Sequence, residues 1–139
     1  NFKSLMMLAK KNLPLPFGNL ENKRSFVSIK NLVDLILTCI NHPKAANQVF
    51  LVSDDYDIST SELVIKLTEA FGKKPRLVKV NLKLLKAIAK VINKRSVIDR
   101  LCDDLQIDIE HTKKTLDWKP IISINEGIKF CIQDLNDDE

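Results

Sequence analysis

The segment Leu13–Pro14–Leu15–Pro16–Phe17–Gly18 restricts the fold of this chain more than any other stretch. Upstream of it, Phe2, Leu5, Met6, Leu8 and Ala9 recur at helical spacing. Pro14 and Pro16 lack the amide hydrogen a helix needs, so that helix ends before them. The chain must then run extended through Leu15–Phe17 and turn at Gly18. Asn19–Lys23 reads as a polar hairpin tip, and Ser25–Ile29, entered through Arg24, alternates as a strand. A helix follows over 31–41. It is apolar on most of its circumference and expects cover on more than one side.

The remaining chain alternates in kind. Gln48–Ser53 is a continuous apolar run of strand length, the pattern of a strand buried on both faces. Ser59 with Glu62 three positions later is a capping box, and Gly72 marks the end of that helix after Phe71. Arg76–Val80 reads as a strand, Leu82–Ile92 as an apolar helix, and Lys94–Cys102 as a basic connector. Leu105–Ile109 alternates, Glu110–Leu116 is helical, and a last helix spans about 123–135 before an acidic tail, 136–139, expected to fray. The class is therefore α/β: a small mixed sheet with about six helices and about five short strands, and no complete βαβαβ half. The 31–41 helix and the 48–53 strand look like the edge of a sheet whose other strands lie elsewhere. The start, Asn1–Phe2–Lys3 with no initiator methionine, suggests a piece of a longer protein.

Composition narrows the function. At 139 residues and 45% apolar the chain has the size and content of one folded domain. No apolar stretch spans a membrane, and no signal peptide is visible. The net charge is +4, but the lysines lie scattered in pairs such as Lys10–Lys11, Lys73–Lys74 and Lys113–Lys114, without interleaved aromatics. That is the look of solvated faces rather than of a nucleic-acid surface. Cys39, Cys102 and Cys131 are far apart and odd in number, so they read as small core residues in a reducing cytosol.

Absences exclude most chemistry. Three glycines, Gly18, Gly72 and Gly127, cannot build a glycine-rich phosphate loop. The only tyrosine is Tyr56, and position 60 is threonine, so no Tyr-x-x-x-Lys pair exists. His42 and His111 are isolated near helix ends, which favours capping over a metal site. Asp54–Asp55 and Asp103–Asp104 are adjacent pairs whose carboxylates point apart. What remains is Phe17, Arg24, Arg100 and Asp103. Alone, Arg24 reads as a surface cation and Phe17 as core. Together, two arginines suit diphosphate oxygens, an aromatic suits a flat base, and an acid suits a sugar hydroxyl.

These residues carry a resemblance. Asn1–Phe2, Pro14–Leu15–Pro16–Phe17–Gly18, Arg24–Ser25–Phe26–Val27, Asn31–Leu32–Val33–Asp34, Phe50–Leu51–Val52–Ser53, Ser59–Thr60–Ser61–Glu62–Leu63, Arg100-x-x-Asp103 and Leu116–Asp117–Trp118–Lys119–Pro120 follow one another in order. The chain resembles the C-terminal substrate-binding part of the extended short-chain dehydrogenase/reductases, the NAD-dependent epimerase/dehydratase family. Within it, the nucleotide-sugar 4-epimerases that use UDP-glucose or UDP-N-acetylglucosamine are the most similar.

The resemblance implies that residues 1–135 bind a UDP-sugar, with Asn1 on the sugar nucleotide, Phe17 against the uracil, Arg24 and Arg100 on the diphosphate and Asp103 on the ribose. It implies that NAD and the catalytic Ser/Thr, Tyr and Lys belong to an N-terminal Rossmann domain outside this chain. No catalytic, cofactor-binding or metal-ligating residue is then expected here, and the fragment alone is expected to be inactive. The parent reaction would move a hydride from the sugar C4 to NAD and return it to either face. A 4-keto-sugar reductase or dehydratase of the same family, or a non-catalytic nucleotide-binding regulator, are the alternatives. The 31–41 helix and the 48–53 strand would pack on the Rossmann domain. A cytoplasmic homodimer is expected, with neither nucleic acid nor membrane as partner.

Overall fold

Wherever apolar residues recur every three or four positions, the backbone is helical. The computed structural model describes residues 2–91 and 95–137. In chain order its elements are α1 (Phe2–Lys11), β1 (Arg24–Ser25), α2 (Ile29–Asn41), β2 (Asp57–Ile58), α3 (Thr60–Ala70), α4 (Leu82–Val91), α5 (Arg95–Cys102), α6 (Glu110–Leu116) and α7 (Ile124–Asp137). Strands β1 and β2 pair as a two-stranded sheet. The chain forms two compact units, each assembled from two separate stretches: Asn1–Lys23 with Ile58–Asp104, and Arg24–Asp57 with Leu105–Glu139.

In the first unit α1 packs on α3. Leu5, Met6 and Ala9 of α1 are buried, as are Leu63, Val64 and Leu67 of α3. Ile58 and Leu67 are fully buried, and each such side chain contributes about 1.5–3 kcal/mol. Asn12 ends α1 in the left-handed region, at φ 52°, with its N–H on the Ala9 carbonyl at 3.0 Å. Ser59 caps α3 by accepting the Glu62 N–H at 3.0 Å. Gly72, at φ +70°, closes that helix by donating to Glu69 O at 2.8 Å, as the sequence predicts. Helix α4 packs on α5.

The second unit is organised by α2 and α7. Leu35 of α2, Ile109, Leu116 and Trp118 form its core cluster, joined by the partly buried Cys39, Ala45, Phe50, Val52 and Ile107. Helix α7 buries Ile124, Ile128, Ile132 and Leu135. It comes so close to the start of α2 that a β-carbon on Gly127 would lie 3.0 Å from that of Ser28. Lys30 lies over the Phe130 ring, 3.2 Å from its centroid. Ser28 caps α2 by accepting the Asn31 N–H.

Asn31 is the polar centre of this unit and is fully buried. Its Nδ2 donates to Asp54 Oδ1 at 2.6 Å and to Ile122 O at 2.9 Å. Its Oδ1 accepts the N–H groups of Ile121, at 2.9 Å, and Ile122, at 3.0 Å. One turn later, Asp34 accepts from Trp118 Nε1 at 2.7 Å.

The helices follow the sequence pattern and the strands fall short of it. Leu15–Phe17 and Arg76–Val80 are reduced to a single parallel bridge between Leu15 and Leu77. Only Leu105 of the 105–109 segment is bridged, to Arg24. Asn19–Lys23 is no hairpin tip, because Leu20 and Asn22 turn inward and are buried. Ser25–Ile29 is a strand only at Ser25, since Ile29 already opens α2. Segment 48–53 is not a strand buried on both faces. Phe50 and Val52 join the core, whereas Val49 is 83% exposed and Leu51 lies outside too.

The basic connector after α4 contains a seventh helix, α5. Helix α7 runs through Asp137, two residues past its expected end. The under-covered face expected on α2 is present: Val33, Ile36, Leu37 and Ile40 are all exposed, Ile40 to 72%. Part of it lines a shallow apolar groove of about 310 Å³ with Ile29 and Ile121.

Asn31→Ala takes one donor from the Asp54 carboxylate, which keeps the Ser28 N–H, and leaves the part-buried N–H groups of Ile121 and Ile122 without their acceptor. We expect it to lower stability by about 3 kcal/mol in denaturant unfolding, and an unchanged midpoint would contradict the central role of this carboxamide.

Candidate functional site

The residues singled out in the sequence fall in both units. Phe17, Arg100 and Asp103 belong to the first, Arg24 to the second, and Asn1 lies outside the described residues.

In the first unit, residues 15–18 are held by the 76–78 segment. Leu15 N–H donates to Arg76 O at 3.0 Å, Val78 N–H to Leu15 O at 2.8 Å, and Gly18 N–H to Val78 O at 3.0 Å. The approach at Gly18 is too close for any side chain, since a β-carbon there would sit 2.9 Å from the Val78 carbonyl carbon. Phe17 is buried, 4% exposed, and its carbonyl accepts from Ser61 Oγ. Ser61 Oγ also accepts the Leu20 N–H at 3.0 Å. The start of α3 thus grips the 17–20 loop. The ring of Phe17 is core in this structure.

Arg100 stands in the last turn of α5, with Asp103 directly after it. Both are exposed. The Asp103 N–H donates to Asp99 O at 2.9 Å, and Lys86 of α4 lies 3.4 Å from the Asp99 carboxylate and 4.0 Å from that of Asp103. Asn22 is buried, and its amide reaches Thr60, Leu101 and Asp103. The Lys23 N–H donates to Asp104 Oδ1 at 2.7 Å. Asn22 and Thr60 were not singled out by sequence reasoning. The only signal was their place in the motifs, an asparagine just before Lys23–Arg24 and a threonine at the first helical position of α3.

In the second unit Arg24 is half-buried in β1. Its backbone is bridged to Leu105, and Ser25 N–H donates to Leu105 O at 2.8 Å. The Ser25 hydroxyl accepts the Ile107 N–H at 2.8 Å and donates to Asp57 Oδ1 at 2.5 Å. Gln106 Nε2 donates to the other Asp57 oxygen at 2.6 Å. Arg24 therefore stands on a backbone fixed from both sides.

His42 is the C-cap of α2, and His111 stacks on Phe50 with ring centroids 5.5 Å apart. No group of three His, Cys, Asp or Glu gathers into a metal site among the described residues. Burial pushes the thiols of Cys102 and Cys131 up, which makes them poor nucleophiles. None of the described helices is long and apolar enough to cross a membrane.

Residues 3–131 match the family model described as GDP-mannose 4,6 dehydratase. The chain belongs to this family. The GDP-mannose 4,6 dehydratase family is a branch of the extended short-chain dehydrogenase/reductases. Among curated relatives, UDP-glucose 4-epimerase of Vibrio cholerae is 55% identical over 134 residues, 96% of this chain and 41% of that protein. Among solved structures, UDP-glucose 4-epimerase of Thermotoga maritima with UDP-glucose superposes with a TM-score of 0.66 at 18% identity, over 97% of this chain and 38% of that one. The chain spans about two fifths of the length of each. The NAD that the resemblance implies finds no glycine-rich cradle among these residues. None of the three glycines opens a helix: Gly18 is packed on Val78, Gly72 ends α3, and Gly127 lies within α7.

Gly18→Ala forces its methyl group into the 78–79 backbone and is expected to cost about 1–3 kcal/mol of stability. A melting temperature equal to the parent's would show that the 15–18 loop yields.

Proposed function

We propose that this chain is the nucleotide-sugar-binding part of a UDP-sugar 4-epimerase of the UDP-glucose or UDP-N-acetylglucosamine type. The 55% identity to UDP-glucose 4-epimerase, over 96% of the chain, carries this reading. Arg24 and Arg100 hold the diphosphate, Asp103 takes the ribose, the loop at Phe17 lies along the uracil, and Asn1 meets the sugar. Residues that bind NAD and move the hydride lie in an N-terminal Rossmann domain of the longer protein, so this chain alone turns nothing over. The exposed apolar face of α2 is the surface that domain covers, and the complete enzyme is a homodimer. The family description, GDP-mannose 4,6 dehydratase, favours a second reading: a dehydratase acting on a related sugar nucleotide.

In the full-length protein, Arg24→Ala is expected to weaken UDP-glucose binding by about 1.5–3 kcal/mol, the size of a charge-assisted hydrogen bond. Calorimetry giving an unchanged affinity removes Arg24 from the site. Turnover of GDP-mannose in preference to UDP-glucose or UDP-N-acetylglucosamine decides for the dehydratase. The chain on its own, with the α2 face uncovered, is expected to self-associate. Light scattering that finds a monomer at high concentration would contradict that.

A further inference from the structure

We propose that Asn22 is a positioning residue for the nucleotide clamp, fixing the end of α5 that carries Arg100 and Asp103. This rests on the reading of Arg100 just given. Asn22 lies between the exposed Glu21 and Lys23, yet is itself only 8% exposed. Its side chain turns inward and meets two helix ends. Oδ1 accepts the N–H of Thr60 at 3.0 Å, the first residue of α3, whose amide has no partner within its own helix. Nδ2 lies 3.2 Å from Leu101 O and 3.3 Å from Asp103 O, carbonyls at the other orphaned kind of helix end. Thr60 Oγ1, 3.3 Å from the same Nδ2, donates to Leu101 O at 2.5 Å.

One carboxamide thus caps the start of α3 and the end of α5. The chemistry requires an amide, since only a side chain with both an acceptor and donors serves both ends. Helix α5 has eight residues, too few to hold its last turn by propensity alone. With the Leu101 and Asp103 carbonyls held, the backbone on either side of Cys102 is fixed, and with it the directions in which Arg100 and Asp103 leave the chain.

The test uses full-length protein, with UDP as the calorimetric probe and UDP-glucose for kinetics. Asn22→Asp keeps the acceptor for Thr60 N–H and loses the donors to Leu101 and Asp103. It is expected to weaken UDP roughly tenfold, with the loss in KM rather than in kcat. Arg100→Ala is expected to weaken UDP by at least about tenfold, and the double variant by no more than about twofold beyond the worse single one, as for residues acting as a unit. A fall in melting temperature with UDP affinity unchanged assigns Asn22 a structural role only and overturns the proposal, as do penalties that multiply in the double variant. An Arg100→Ala protein that binds UDP like the parent removes Arg100 from the clamp, and the proposal falls with that reading. Thr60→Val, which removes only the hydroxyl donor to Leu101, is the second variant. It is expected to weaken UDP in the same direction, and if Asn22→Asp does not fold, unchanged binding by Thr60→Val overturns the proposal.

Discussion

The second unit depends on one buried carboxamide. Asn31 joins three stretches of chain that share no local sequence: the start of α2, the Asp54 corner, and the 121–122 backbone before α7. Without it the 121–122 N–H groups would lose their acceptor and the Asp54 carboxylate would keep only the Ser28 N–H. Aspartate in its place would lack the donors, and leucine would offer nothing to any of the three. Asp34, one turn on, adds the Trp118 indole. Apolar packing of Leu35, Leu116 and Trp118 supplies the driving force, but the two polar anchors decide the register in which those side chains meet.

What the sequence disclosed follows a physical division. Helices with a long apolar stripe, a cap or a proline stop were legible, because all of those signals are local: Ser59, Gly72, Pro14. The strands were not. A strand is defined by its partner, and Leu15 finds Leu77 while Arg24 finds Leu105, across gaps that no alternation pattern encodes. Helix α5 was hidden for a related reason. Arg95–Cys102 is only eight residues long, and it is closed by Asn22, a residue far away in sequence. At the candidate site the residue types were legible, while their support was not. Asn22 looked like a loop residue, and Thr60 and Ser61 like helix-start residues, until the structure placed all three in buried hydrogen bonds.

Phe17 lies where its residue type, taken alone, places it. Its ring is part of the first unit's core. The end of that loop is set by Gly18, pressed on the 78–79 backbone. Such a loop is only as rigid as the groups that hold it. Ser61 and the 76–78 segment supply the rigidity.

The division of each unit between two distant stretches has a consequence during synthesis. As the chain emerges from the ribosome, residues 24–57 appear before 105–139, the stretch that completes their unit. Until then Asn31 lacks its 121–122 partners and Leu35 the apolar residues it packs on, and the first unit waits for 58–104 in the same way. Neither unit closes as an independent early intermediate. Long-range closure delays folding and leaves apolar surface open to mispairing. A chain that lacks α7 would therefore lose more than that one helix.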